Sequence, residues 1–435
     1  MIAMTNPILA IVIIALINIT ASAIINFDSN AKSLDIDVIL KRPRLICEDN
    51  EESLNLSDNK LTKIKPGFIK SSAIRSISLN NNKIQEIPNG VFDHVPNLEC
   101  LDLTNNKIKT SELVNLKHDG LRTLIFDDQK LAKSNNLMND VLFNKSQVSL
   151  PNVQTLSLKG IRYDTFGFYS NLFPSLSTIF FTDNNLQYIN PELEEYCSHH
   201  LRSIHFEQNG LRNVTLNDLK NVEELYFDNN PIEFLQIETH PNLKILSLAN
   251  CNLGAEWYLS LSNIETLDLS GNQMNESIIT EKFSEVLNLE NLSLSRNNFT
   301  TIPPLDNLPR LQKLSLSYNM IETINDVIEA RSLKTLDLRG NRINDIHPGD
   351  FWGVPMLEEL DLSHNQLHVL YYDWGENLNM LRSLNLKSNR FATISHMSIR
   401  SLSNITDVYV GNNFFHTIDN TDILDLSNKC TVYVI

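Results

Sequence analysis

Carboxylates, imidazoles and thiols are where chemistry would begin in this 435-residue chain. Asp102, Asp268, Asp337 and Asp361 resemble candidates for paired acid and base work, and Cys197 with His199, His200 and His205 resembles a set of metal ligands. Spacing argues against both. Each of the four aspartates stands between two leucines, and alternation in an extended segment turns it away from them, onto a solvated face. His205 falls in a strand while Cys197, His199 and His200 lie in a connection, so ordinary surface histidines are the simpler reading. The sequence contains no His-Glu-x-x-His, Gly-x-Ser-x-Gly, Walker loop or EF-hand spacing. No catalytic residue, metal or cofactor is expected, and an enzyme is not expected either.

What must position any functional side chain here is a recurring phrase. Leu357 to Leu367 reads Leu-Glu-Glu-Leu-Asp-Leu-Ser-His-Asn-Gln-Leu, and worn copies of it run through the chain after residue 50. Leu360 and Leu362 alternate across Asp361, so a short strand buries both leucines and presents Asp361. Asn365 sits where the chain leaves the strand, and its amide is placed to bond the backbone of adjacent turns. The same slot recurs at Asn59, Asn82, Asn106, Gln129, Ile161, Asn184, Asn209, Asn230, Cys251, Asn272, Asn297, Asn319, Asn341, Asn365, Asn389 and Asn413, which gives sixteen repeats. Thirteen of the sixteen are asparagine, so the register is secure, and Cys251 reads as a substitute in the ladder. One repeat cannot bury its own leucines, but a stack can. Phe92, Phe283, Phe351 and Trp374 fill one equivalent place in the connections and are expected as a buried spine.

This eleven-position phrase is the signature of leucine-rich repeats. The implied fold is an α/β solenoid, a horseshoe with a concave parallel β-sheet. At strand spacing, sixteen repeats offer a concave sheet on the order of 75 Å along its arc, the scale of a protein ligand. In the clean repeats the residue between the strand leucines is Ser, Asp or Asn. In three consecutive repeats it becomes Phe180, His205 and Tyr226, with Ile125 two repeats earlier, and neighbouring outward positions add Arg202, Glu207, Glu224 and Asp228. Aromatics ringed by charge on successive strands read as an exposed binding cluster, with cross-strand packing as the competing and more ordinary reading.

Around this array the sequence suggests export. Ile8 to Ile19 is an uncharged apolar run of twelve residues followed by Ala21-Ser22-Ala23, which reads as a signal peptide over residues 1–23. No later apolar stretch reaches membrane-spanning length, so the mature chain is expected to be secreted and extracellular. Residues 24–50 form an N-terminal cap with Cys47, and residues 51–435 form the repeat domain, with a longer connection at 132–151. The last strand, at 431–434, is expected to be uncapped. Cys430 stands beside that edge, so an intermolecular disulfide, or a dimer or complex docked there, is a candidate. The five cysteines leave at least one unpaired within the chain. After the expected signal peptide, seven sequons mark glycosylation candidates at Asn55, Asn144, Asn213, Asn275, Asn291, Asn298 and Asn404. Sugars on Asn55 and Asn291 would obstruct the sheet face near the first and eleventh repeats and leave the aromatic cluster between them clear. A formal charge of -16 repels phosphate backbones, so no nucleic acid partner is expected.

Residues 51 to 413 resemble extracellular leucine-rich repeat ectodomains, including those of Toll-like receptors and of insect leucine-rich immune proteins. Unlike the receptors, the chain is expected to have no membrane helix or cytoplasmic signalling domain, and unlike the insect proteins it is expected to lack their cysteine motif and C-terminal coiled coil. The resemblance implies recognition of a protein or microbial macromolecule, in innate immunity, often as a dimer or complex. An inhibitor or regulatory subunit of an extracellular enzyme, or a cell-adhesion or matrix component, is the alternative.

Overall fold

The computed structural model describes residues 24–26, 45, 47, 52–130, 150–162, 165–166, 173–189, 199–216, 219–237, 240–254, 257–283, 286–324, 328–416 and 430–434. The expected signal peptide, the alternating stretch of the cap, the long connection at 132–149 with its Asn144 sequon, and Cys197 lie outside the described residues.

Each Leu-x-Leu phrase extends for only three residues, because the next residues must turn the chain out of the strand. In every repeat the residue just before the ladder slot has a left-handed backbone, from Asp58 at φ 61° to Asn412 at φ 55°. That geometry favours Asn, Asp and Gly. At Gly340 the reason is also steric: a Cβ there would come within 2.6 Å of the Tyr318 ring. The ladder amide then ties the turn. Asn365 donates to the carbonyls of Leu338 at 2.9 Å and Leu362 at 3.1 Å, and its own oxygen accepts from the Ile343 amide at 3.0 Å. One side chain thus satisfies backbone groups on its own turn and on the preceding one, which is why asparagine recurs. Cys251 does a thinner version of the same work, its thiol donating to the Phe227 carbonyl.

The result is a parallel-strand solenoid of roughly fourteen to sixteen repeats, and the described chain divides into two compact units. The larger lies within residues 37–299 and 303–316. Its main sheet runs from Ser53–Asn55 through Cys100–Asp102, Thr178–Phe180, Ser203–His205 and Glu224–Tyr226 to Lys313–Ser315, every strand parallel to the next and in register. The leucines and isoleucines at the centre of these strands, such as Leu101, Ile179, Ile204 and Leu225, are fully buried. Across the core, Asn213–Leu216, Phe234–Ile237 and Trp257–Leu259 form a second, three-stranded parallel sheet, and the helix Glu276–Lys282 follows them in the chain. A disulfide joins Cys47 to Cys100, so the single cysteine of the cap is paired with a strand of the main sheet. A cross-link closing that many residues restricts the unfolded chain by about 4 kcal/mol in the entropic picture.

The second unit holds residues 317–435 with 1–36 and 300–302. Its strands Thr335–Asp337, Glu359–Asp361, Ser383–Asn385, Asp407–Tyr409 and Thr431–Tyr433 repeat the same parallel register. Phe351 and Trp374 pack edge to face at 6.0 Å, and Phe92 and Phe283 of the other unit are likewise buried, so the aromatic spine is core. The expected open edge is not open. Ile24–Asn26 pairs in parallel with Thr431–Tyr433, supplying the backbone partners that an edge strand lacks. The expected disulfide through Cys430 also fails on accessibility. The residue is 1% exposed, and burial, with the charge of Asp407, pushes its thiol up to about 12, so it is neither accessible nor a thiolate at neutral pH.

Candidate functional site

Parallel in-register pairing puts like positions of successive strands side by side, so Phe180, His205 and Tyr226 become neighbours. Their rings stack. Phe180 and His205 lie 4.1 Å apart between centroids, at 19°, and His205 and Tyr226 lie 4.3 Å apart, at 5°. The polar edges of the rings are bonded in turn. His205 Nδ1 lies 3.0 Å from Glu207 Oε1, and its Nε2 lies 3.3 Å from Ser203 Oγ. Ser203 and Tyr226 hydroxyls both donate to Glu224 Oε2, at 2.9 and 3.3 Å.

This arrangement corrects the expectation of an exposed cluster. His205 and Tyr226 keep only 1% and 2% of their surface, and Ile125, Glu207 and Asp228 are also buried. The physical reason is the strand spacing, which is close to the thickness of stacked rings, so each ring covers the face of the next. Phe180, Arg202 and Glu224 are the half-buried members and hold what access the group has. Arg202 turns towards the strand entrance, where it meets the His199 carbonyl at 3.1 Å and Glu223 at 3.4 Å. Asp228 is committed to its neighbours, accepting from Ser247 Oγ and from the Ala249 amide at 3.0 Å. Ile125 is not part of the stack: Ser157 stands between it and Phe180 in the register.

Two features escaped the reading of the sequence. Asp127, in the slot equivalent to Asp228, is raised to about 6 by burial, against hydrogen bonds from Ser157 Oγ at 2.6 Å and the Lys159 amide at 2.8 Å. Tyr409 and Tyr433 form a second stack at 4.7 Å and 12°, with Lys387 Nζ 5.4 Å over Tyr409 and the Tyr433 hydroxyl donating to Asp407. The signal for this stack was present, since both tyrosines stand between two valines in the slot that Tyr226 occupies.

Of the sequons described, Asn55, Asn213, Asn275, Asn298 and Asn404 are exposed, while Asn291 is half-buried and donates to Thr266 Oγ1 at 3.0 Å. His199 and His200 are exposed, and among the described residues no group of three or more His, Cys, Asp or Glu is placed to hold a metal ion. No described helix is long and apolar enough to cross a membrane.

Comparison with known proteins agrees with this geometry. The family described as "Leucine rich repeat" matches residues 52–108, 309–367 and 331–391, and "Leucine Rich repeats (2 copies)" matches 287–329. Podocan of Mus musculus is 25% identical over 344 residues, covering 72% of this chain and 51% of that protein. Toll-like receptor 3 of Boselaphus tragocamelus is 24% identical over 308 residues, covering 59% of this chain and 32% of the receptor. The chain therefore spans about half or less of the length of these relatives. The solved structure of the Leptospira interrogans LRR protein LIC12759 shares the fold, with a TM-score of 0.53 at 23% identity, over 87% of this chain and 94% of that one. Ladder, register and comparisons converge on one conclusion: the chain carries leucine-rich repeats over the matched residues and folds as a parallel-strand solenoid.

Proposed function

We propose that this chain is a secreted recognition protein, acting in innate immunity, that holds a protein or microbial macromolecule on the outward face of its main sheet. A protein-binding role fits a leucine-rich repeat chain with a Toll-like receptor among its relatives. The observation that supports the placement is the stack itself. Phe180, half-buried, rides on rings already fixed at 4.1 and 4.3 Å spacing, and Glu224, also half-buried, is anchored by the Ser203 and Tyr226 hydroxyls. An anchor of this kind loses little side-chain freedom on binding, which favours affinity. The hydrogen bonds of these side chains tie them to one another and hold the rings in place, and the role assigned to them is binding.

The test is capture from the native extracellular fluid by the full chain, compared with a Phe180→Ala, Glu224→Ala double variant. Loss of a captured partner by at least about tenfold, with the melting profile retained, supports the face as the site. Equal capture by both proteins removes these residues from it.

A further inference from the structure

The second sheet carries a site that the stacked rings do not involve. Its last strand, Trp257–Leu259, alternates: Trp257 is 1% exposed and Tyr258 is 59% exposed. Register places Gln236 beside Tyr258, and the Phe234 ring lies 6.0 Å from the Tyr258 ring, tilted by 49°. The helix Glu276–Lys282 ends against this strand, with Lys282 Nζ 5.5 Å from the Tyr258 ring and 5.8 Å from the Trp257 ring. Between them opens a cleft of about 440 Å³, lined by Gln236, Trp257, Tyr258, Ser260, Glu281 and Lys282 among others. The decisive atom is Trp257 Nε1. It is a buried N–H donor with no acceptor among the described residues, on a side chain that lines this cleft. A buried donor left unbonded costs about 1–3 kcal/mol, which a ligand oxygen would recover.

We propose that this cleft binds a neutral saccharide of one or two rings. Lys282 and Glu281 lie 3.3 Å apart and cancel in charge, so the cleft favours neither an anion nor a cation. What they present instead, with Gln236 and Ser260, is a ring of mixed donors and acceptors around an aromatic face. A polyhydroxylated ring matches that pattern. Its apolar C–H face lies on Tyr258, its hydroxyls bridge to the amide, carboxylate and ammonium, and one oxygen accepts from Trp257 Nε1. The volume suits a disaccharide. This site is independent of the binding face proposed above, and failure of one proposal leaves the other standing.

The experiment follows tryptophan emission of the full-length chain during titration with chitobiose, cellobiose and maltose, since one of the three tryptophans lines the cleft. A saturable change with at least one disaccharide, at millimolar Kd, is the expected result. Tyr258→Ala, at an exposed position where the melt is expected to be retained, is expected to weaken that binding at least about tenfold. Trp257→Phe removes the indole donor together with the reporting fluorophore, so its binding is read by isothermal titration calorimetry and is expected to weaken about fivefold. The proposal is overturned if none of the three sugars gives a saturable change up to about 50 mM, well above the expected Kd. It is equally overturned if Tyr258→Ala binds as tightly as the parent chain.

Discussion

In one stretch of this molecule the slot between the strand leucines holds rings, Phe180, His205 and Tyr226; in another it holds Asp337, Asp361 and Asn385. The two stretches look opposite in chemistry, yet each holds a fully buried side chain at this slot: His205 and Asp361 are each 1% exposed. They reach that state differently. Rings cover one another by stacking and need bonds only at their edges. A carboxylate needs donors, and Asp361 receives them from the Ser363 amide at 2.7 Å and Asn385 Nδ2 at 2.8 Å. Burial still raises its pKa against those bonds. A position that points away from the leucine core is therefore not the same as a position in water. The neighbouring strands on either side, one repeat away in sequence, decide the difference.

The comparison is broken most directly at His205. Replacing it by Ala opens a gap between Phe180 and Tyr226 and removes the imidazole from Glu207. A loss of about 2–4 kcal/mol is expected, read from the midpoint of urea denaturation. His205→Phe, which keeps a ring in the stack, should recover part of it. A His205→Ala chain as stable as its parent would mean that the rings are not packing at all.

Asp127 tests the carboxylate side through pH. Its pKa is raised in the fold from 3.8 to about 6, so the folded state holds the proton more tightly than the unfolded one. The stability linked to that proton is fully present below about pH 4 and is lost as pH rises through about 6. The effect is on the order of 3 kcal/mol at most. Asp127→Asn should flatten this part of the stability profile between pH 4 and 7, and an unchanged slope would reassign it to another group.

The smallest effect is expected at Asp361. Because burial already disfavours its charge, Asp361→Asn at pH 7 should shift stability by less than about 1 kcal/mol, provided Asn385 rotates its amide to keep the bond. A thermal melt that drops as far as that of His205→Ala would show that the charge itself holds the strands together, and the contrast drawn between rings and carboxylates would fall.

Much of the fold was legible because its information is local and periodic. The leucine pair, the ladder asparagine and the residue before it recur within one phrase, so sixteen copies correct each other's exceptions. Cys251 and Gln129 could be placed in the ladder for that reason, and Gln129 does donate to the Leu103 carbonyl as an asparagine would. The aromatic cluster was also legible as a set of neighbours, since parallel register follows from the repeat. Its exposure was not. Whether His205 is covered depends on ring size, strand spacing and the reach of Ser203 and Glu207, none of which the alternation pattern carries.

Sequence alone, then, determined the register of the repeats, the spine of Phe92, Phe283, Phe351 and Trp374, and which side chains share a row. These depend on spacing along the chain, and spacing is written in the residues. Only the tertiary structure decided the Cys47–Cys100 pairing, the strand Ile24–Asn26 on the last edge, the burial of Cys430 and His205, and the unpaired donor of Trp257 above its cleft. Each of these depends on atoms from separate turns meeting at a few ångströms, and contact between distant segments is settled by packing, where no local period reaches.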